Sequence, residues 1–326
     1  MIALRLALLF LALLIDKAIG DPPRLWARVS HPIVLFGKAV AAADRRLNAP
    51  GLSPAAARSR GIVAAVLLTV LALASGILLS AVFSGLWLLG VVMEVIVVAI
   101  LLAQKSLADH VGAVADALTQ EGLAGGRRAV SLIVGRDPQT LDGPGVSRAA
   151  IESLAENYSD GVVAPAFWYV LLGLPGIFAY KMVNTADSMI GHKSEKYLHF
   201  GWAAARWDDL VNLIPARLSA IFIALGAWTA ENMMAMRRSL RTARVDHGKH
   251  RSPNSGWPEA AMAGAIDLQL AGPRIYHGVP VNEEMLNIGG RRSASPADID
   301  RAIKVFDHAC YWLAGVICAL LILAVT

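Results

Sequence analysis

AYKMVNTADSMIGHKSEKYLHFGWAAARWDDLVNLIPARL, residues 179–218, joins one apolar run to another and carries Lys181, Asn184, Asp187, His192, Lys193, Glu195, Arg206, Asp208, Asp209, Asn212 and Arg217. Charges and amides at this density are costly beside lipid unless they pair, hold an ion or line a hydrated cavity. Read as a helix, Lys181, Asn184, Asp187 and Ser188 fall at i, i+3, i+6 and i+7, a polar stripe whose other faces carry Met182, Val183, Met189 and Ile190. Two readings stay open: a packing network in which the stripe satisfies itself, or a phosphate–metal site with Lys for phosphate and Asp for the ion. The tetrapeptide GHKS resembles the end of a phosphate-binding P-loop, but Asp187 stands where the first glycine is required and that reading fails. In RWDDLVNLIPAR, Asp208 and Asn212 lie one turn apart, Asp209 and Asn212 lie at i+3, and Arg206 and Arg217 flank them. Two acids, an amide and two arginines beside an apolar run suit a binding face better than lone topological anchors.

Working outward, the solvent is settled by composition. The 326 residues are 56% hydrophobic and 17% charged, with a mean hydropathy of +0.53, too apolar for an ordinary soluble domain. A bilayer core about 30 Å thick needs roughly 20 apolar helical residues. Ile62 to Phe83 is such a run, Leu86 to Ala103 is another broken only by Glu94, and Ala309 to Thr326 is a third. Met1 to Ile15 is a fourth, with Arg5 able to snorkel toward head groups. Asp16 and Lys17 occupy the place where a signal cleavage site would lie, so a retained helix is expected. Cys310 and Cys318 are eight residues apart on one helix, about 12 Å along the axis, beyond disulfide reach. No zinc spacing exists.

Net charge is +5, and its placement matters more. Arg24, Arg28, Lys38, Arg45, Arg46, Arg58 and Arg60 lie between Asp21 and Gly61, and MRRSLRTAR and Arg291–Arg292 lie between Ala230 and His308. The positive-inside rule puts both in the cytoplasm. These cations flank apolar helices and no recognition motif accompanies them, so nucleic acid is not an expected partner.

The pattern predicts an all-α fold: a polytopic helical integral membrane protein with broken or re-entrant helices and a cytoplasmic-facing polar site. It is expected as a single membrane domain over 1–326, with a polar insert at 230–308 between the last two apolar segments. A helical hairpin turns at Ser84–Gly85, and Gln104 to Ser159 is polar and helical with a loop at GRDPQTLDGPG. Two shorter segments are broken: Val162–Tyr180 by Gly173, Pro175 and Gly176, and Leu213–Trp228 by Pro215 and Arg217. Non-helical backbone at membrane depth is tolerated where it lines a cavity. No period-2 strands are convincing.

In SRAAIESLAENYSDGVVAP, Glu152, Glu156 and Asp160 share one helical face. That is either a solvated face on which Arg148 offsets Glu152, or a Mg²⁺ site completed by phosphates. HRSPNSGWPEAAMAGAI is either a stiff connector or an anion-welcoming helix start at which Trp257 offers a flat surface. DPPRLWARVSHPIVLFGK holds Asp21, Arg24, His31 and Lys38, and periodicity alone does not select His31.

These blocks, with AYKMVNTADSMIGHKSEKYLHFGWAAARWDDLVNLIPARL and NIGGRRSASPADIDRAIKVF, resemble the signature blocks of the membrane amide synthases of cobalamin biosynthesis, the adenosylcobinamide-phosphate synthases. The similarity covers nearly the whole chain, in order. It implies a carbon–nitrogen (acid–amine) ligase that joins aminopropanol phosphate or ethanolamine phosphate to the propionate carboxylate of adenosylcobyric acid, with ATP and Mg²⁺, through an acyl phosphate. It further implies a multi-pass protein of the bacterial cytoplasmic membrane, with lipid and other membrane enzymes of the pathway as partners. On that resemblance, Glu152, Glu156, Asp160 and Asp187 would hold Mg²⁺, and Lys181, Lys193 and Arg206 would contact phosphates. Asn157, Asn184 and Asp209 would orient substrates, and Asn254, Trp257 and Glu259 would lie near the corrin or nucleotide. His31 or His192 would take the amine's proton. A corrinoid or ion transporter coupled through Glu94, or a non-catalytic sensor of the same fold, are the alternatives.

Overall fold

The computed structural model describes residues 2–135, 137–276, 279–281 and 283–326, so the polar insert is covered except at positions 277, 278 and 282, and the GRDPQTLDGPG loop except at 136. In chain order the helices are α1 (Ile2–Ile19), α2 (Pro23–Trp26), α3 (Pro32–Leu47), α4 (Pro54–Gly85), α5 (Trp87–Leu101), α6 (Gln104–Gln120), α7 (Gly122–Val130) and α8 (Gly143–Tyr158). They continue as α9 (Ala164–Leu172), α10 (Leu174–Ile190), α11 (Trp202–Val211), α12 (Leu213–Ala230), α13 (Met233–Asp246), α14 (Gly256–Ile266) and α15 (Pro296–Val325). Helix starts follow local chemistry: Ser53, Asp142 and Asn232 accept from backbone N–H groups of α4, α8 and α13, each bond covering a donor that the first turn leaves open.

The protein is an all-α polytopic membrane protein. Among the described residues four stretches are long and apolar enough to cross a bilayer: Pro54–Gly85, Trp87–Gln120 (shared by α5 and α6), Leu213–Ala230 and Pro296–Val325. The hairpin turn falls where expected, at Leu86, and Trp87 at its tip is 87% exposed. Two expectations change. Helix α1, with Arg5, Asp16 and Lys17, is not among the four, whereas α12 is continuous rather than broken. Pro215 is the third residue of α12, in the first turn, where its missing N–H costs no helical bond.

The chain divides into two compact units. One comprises Met1–Ala103, Ala164–Asn212 and Ile317–Thr326. Its α4 is inside-out: Ala57, Gly61, Ala64, Ala72 and Gly76 are buried while Ile62, Val66, Leu67, Val70, Leu71 and Leu78 are exposed. Lipid removes the hydrophobic gain of burying large side chains, and small residues let backbones approach. A Cβ on Gly61 would lie 1.9 Å from the Phe200 carbonyl oxygen, and one on Gly76 would lie 2.5 Å from Pro175 Cα. Between α9 and α10 the predicted break occurs at Gly173, whose φ of +69° favours glycine. Arg5 bonds to the end of α9. Its Nη1 donates to the Leu171 carbonyl at 2.7 Å, satisfying an acceptor that the end of α9 exposes.

The other unit comprises Gln104–Val163 and Leu213–Val316. At its centre α14 is buried along its length, with Ala260, Ala261, Met262, Ala263, Ala265 and Ile266 fully covered. A Cβ on Gly264 would meet the Arg238 carbonyl oxygen at 2.7 Å, so α13 and α14 pack backbone to backbone. Ser239 Oγ donates to the Ala261 carbonyl at 2.8 Å, and Arg238 Nε donates to that of Gly264 at 2.6 Å. Among the described residues of the insert lie four short strands: β1 (Leu270–Ala271), β2 (Arg274–Tyr276), β3 (Val279–Val281) and β4 (Met285–Leu286), with β1 antiparallel to β4 and β2 to β3. A π-helical turn, Ser159–Val163, follows α8.

Candidate functional site

In the first unit the stripe read from residues 179–218 is a connected network. Asn212 is 1% exposed; its Oδ1 accepts from Tyr180 Oη at 3.1 Å and its Nδ2 donates to Asp208 Oδ2 at 3.0 Å. Asn184 Nδ2 donates to Asp208 Oδ1 at 3.4 Å. Both oxygens of Asp208 are therefore held by amides, which carry no compensating charge. Burial, then the charge of Asp187, push the Asp208 carboxyl up to about 7, and the two amide bonds oppose them. Asp187 lies over Gly191, where a Cβ would come 1.9 Å from its Oδ1. Burial also raises the neighbouring Asp209 carboxyl, opposed by Arg206, whose Nη1 donates to Asp209 Oδ2 at 3.3 Å, and by Lys193.

Beside this network in the same unit is a cavity of about 390 Å³ lined by Asp21, Trp26, His31, Ile33, Lys181 and the 100–103 backbone turn. His31 caps α3: its Nδ1 accepts from Ile33 N–H at 3.2 Å, so the ring proton sits on Nε2, which faces Asp21 Oδ1 at 3.4 Å. Trp26 Nε1 donates to the same oxygen at 3.2 Å and its ring meets His31 edge-on, centroids 4.4 Å apart. Of the expected base, Nδ1 is thus engaged in capping α3, while Nε2 is buried beside Asp21 and makes no hydrogen bond. The other candidate base, His192, is exposed and sits edge-on to Tyr197. Lys193 and Arg206 are exposed, whereas Lys181 is buried against the cavity.

In the second unit the remaining predicted residues take different roles. Glu152 is 3% exposed and its Oε1 accepts from Ala271 N–H at 2.7 Å, pinning β1 to α8. Glu156 Oε1 accepts from Ser255 Oγ at 2.8 Å, and Asp160 lies in the π turn, which breaks the four-residue register that aligned the three acids. Asn157 folds back on its own helix, donating to the Ser153 carbonyl at 2.8 Å and reaching Ser153 Oγ. Among the described residues no group of three or more His, Cys, Asp or Glu side chains is placed to hold a metal, and of the four expected carboxylates Glu152, Glu156 and Asp160 belong to this unit. Asp187 belongs to the first unit's network.

Glu259 is 1% exposed and faces His250 Nε2 at 3.5 Å, an internal pair with no surface to offer a corrin. Asn254 is likewise buried. Trp257 does not present an open face, because His247 stacks on it at 3.9 Å and the Arg217 guanidinium lies 4.9 Å from its centroid. Glu94, the suspected coupling carboxylate, accepts from Tyr169 Oη at 2.7 Å within the first unit.

Of the residues expected from sequence, Asn184, Asp187 and Asp209 lie around Asp208 and Lys181 lines the cavity, whereas Asp208, Tyr180, Asp21 and Trp26 stood outside the expected set of site residues. Tyr180 and Asn184 are four residues apart, a spacing that could have flagged the tyrosine. Nothing local points Trp26 at Asp21.

Among known proteins, the chain is 61% identical over 315 residues to the cobalamin biosynthesis protein CobD of Sinorhizobium sp, covering 97% of this chain and 98% of that one. It is 51% identical to the protein of that name from Brucella suis biovar 1 (97% of each) and 46% identical to that from Rhodobacter capsulatus (93% of each). No solved structure matches. The family model described as CobD/Cbib protein matches residues 9–306, and the chain belongs to that family.

Proposed function

We propose that this protein acts in cobalamin biosynthesis as an ATP-dependent amide ligase, joining an amino-alcohol phosphate to the propionate carboxylate of adenosylcobyric acid to give adenosylcobinamide phosphate. The observation that carries it is near-full-length identity, 61% over 315 residues, to a protein named for that pathway. The polar network on α10 and α11 supports the chemistry.

A carboxylate and an amine do not condense in water unaided. In the proposed sequence the propionate oxygen attacks the γ-phosphorus of ATP and ADP leaves; the amine then attacks the acyl carbon, loses a proton, and inorganic phosphate leaves. This chain's residues position and neutralise. Lys181, buried beside the network, meets a phosphate; Lys193 and Arg206, exposed nearby in sequence, gather anionic substrates from solution. Asp187 and Asp208 would hold Mg²⁺ together with phosphate oxygens, and the ion would neutralise charge on the transferring group. Asn184, Asn212 and Tyr180 fix the Asp208 carboxylate, so little reorganisation is needed when substrate arrives. The basic loops support a site facing the cytoplasm of a bacterial inner membrane.

The transporter alternative drew on the broken, charged helices and on Glu94, and the bond from Tyr169 Oη to Glu94 supports a packing role for that carboxylate. Membranes carrying the protein, incubated with adenosylcobyric acid, aminopropanol phosphate and Mg-ATP, are expected to yield a corrin heavier by the amine component less one water. No mass gain in active membranes would refute the proposal.

A further inference from the structure

The cavity under α10 is more than a void. Its lining contains one anion, Asp21, and one cation, Lys181, among residues that are mostly apolar, including Ile100 and Leu102. At about 390 Å³ it lies at the small end of ligand sites. It suits a short molecule with opposite charges at its two ends and an aliphatic stem, and excludes a corrin on size. Trp26 Nε1 donates to the carboxylate's Oδ1 at 3.2 Å, and His31 Nε2 lies 3.4 Å from the same oxygen without a hydrogen bond, on a ring fixed by the Ile33 N–H. A half-buried carboxylate held by an indole N–H, lining the same cavity as a buried lysine, is placed to recognise a cation.

We propose that this cavity seats the amino-alcohol phosphate, with Asp21 meeting the ammonium, Lys181 meeting the phosphate, and Trp26 acting as a positioning residue for Asp21. The assignment rests on the proposed amide ligation, but it makes its own claim: the amine end is read by Asp21, a residue that spacing did not single out.

The test uses the purified full-length protein in detergent and calorimetric titration with three probes: aminopropanol phosphate, propyl phosphate (no amine) and aminopropanol (no phosphate). Asp21→Asn is expected to weaken aminopropanol phosphate about tenfold or more, the worth of one charge-assisted contact, while leaving propyl phosphate unchanged. Lys181→Met is expected to weaken both phosphates. Trp26→Phe keeps an aromatic ring but removes the indole N–H, and is expected to reproduce the Asp21→Asn pattern in weaker form. In turnover, Asp21→Asn is expected to raise KM for aminopropanol phosphate and leave KM for ATP unmoved. Equal weakening of aminopropanol phosphate and propyl phosphate by Asp21→Asn, or no weakening of either, overturns the proposal. Should Asp21→Asn fail to fold, Asp21→Glu and Trp26→Phe carry the same comparison. The two layers separate cleanly. Amide formation with an unmoved KM in Asp21→Asn rejects the cavity and keeps the ligase, whereas Asp21-dependent binding without amide formation does the reverse.

Discussion

Removing the Asn212 amide is the sharpest test of the α10–α11 network. Asn212 donates to Asp208 Oδ2 at 3.0 Å and accepts from Tyr180 Oη at 3.1 Å, at 1% exposure. The Asp208 carboxyl, raised by burial and by Asp187 to about 7, is held down in part by that amide bond. A bond to the ionised form worth roughly 1–2 kcal/mol corresponds to about one pK unit. Asn212→Ala is therefore expected to move the acid limb of kcat/KM up by about one unit. In the parent the limb should centre near pH 7, so that at a pH one unit lower only about a tenth of Asp208 is ionised. Asn184→Ala, removing the longer 3.4 Å bond, should shift the limb in the same direction by less. Stability carries the matching sign. A carboxyl raised in the folded state favours folding while protonated, so this contribution falls as pH rises from about 4 through about 7, and Asp208→Asn should flatten that slope. The assay is amide formation in membranes across a pH series, with a thermal-shift series beside it. A parent profile without an acid limb between about pH 6 and 8, or a downward shift in Asn212→Ala, would refute the argument.

Three further expectations follow from the packing. Gly61→Leu should lower the yield of folded protein and its thermal midpoint in detergent, since even a Cβ would lie 1.9 Å from the Phe200 carbonyl oxygen; an unchanged midpoint would show that α4 can shift freely. Glu94→Gln keeps an acceptor for Tyr169 Oη and should leave amide formation within about twofold, because the neutral bond replaces a charged one at a cost of about 1 kcal/mol or less; abolished activity would restore a functional role for that charge. Asp44, held by Lys196, Asn48 and Tyr197, has a carboxyl that burial works to raise and these bonds lower below the usual range. Its stabilisation is present above the ordinary carboxylate range and lost as pH falls through the lowered value. Asp44→Asn should therefore cost stability at neutral pH and little in strong acid, read by thermal shift at both.

The sequence was most legible where periodicity and solvent agree. The α4–α5 hairpin and the 181–184–187 stripe were visible because apolar length and helical spacing each leave one interpretation. Pro215 misled because its effect depends on which turn it occupies, and only the end of α11 at Asn212 fixes that. Glu152, Glu156 and Asp160 were aligned on a regular helix, but a π turn intervenes and the first carboxylate is claimed by a backbone N–H 119 residues away. Asp21 was passed over for the same reason: its indole partner, five residues away, matches no helical spacing, and the cavity is completed by α10.

The bond from Arg5 to the Leu171 carbonyl links groups 166 positions apart. At roughly 5–20 residues per second, a ribosome needs on the order of ten to thirty seconds to supply the acceptor after the guanidinium emerges. The opening helix is thus made early and completed late. During that interval the guanidinium lacks this acceptor, so the contact of α1 with the end of α9 closes only when the mid-chain break at Gly173 has been made.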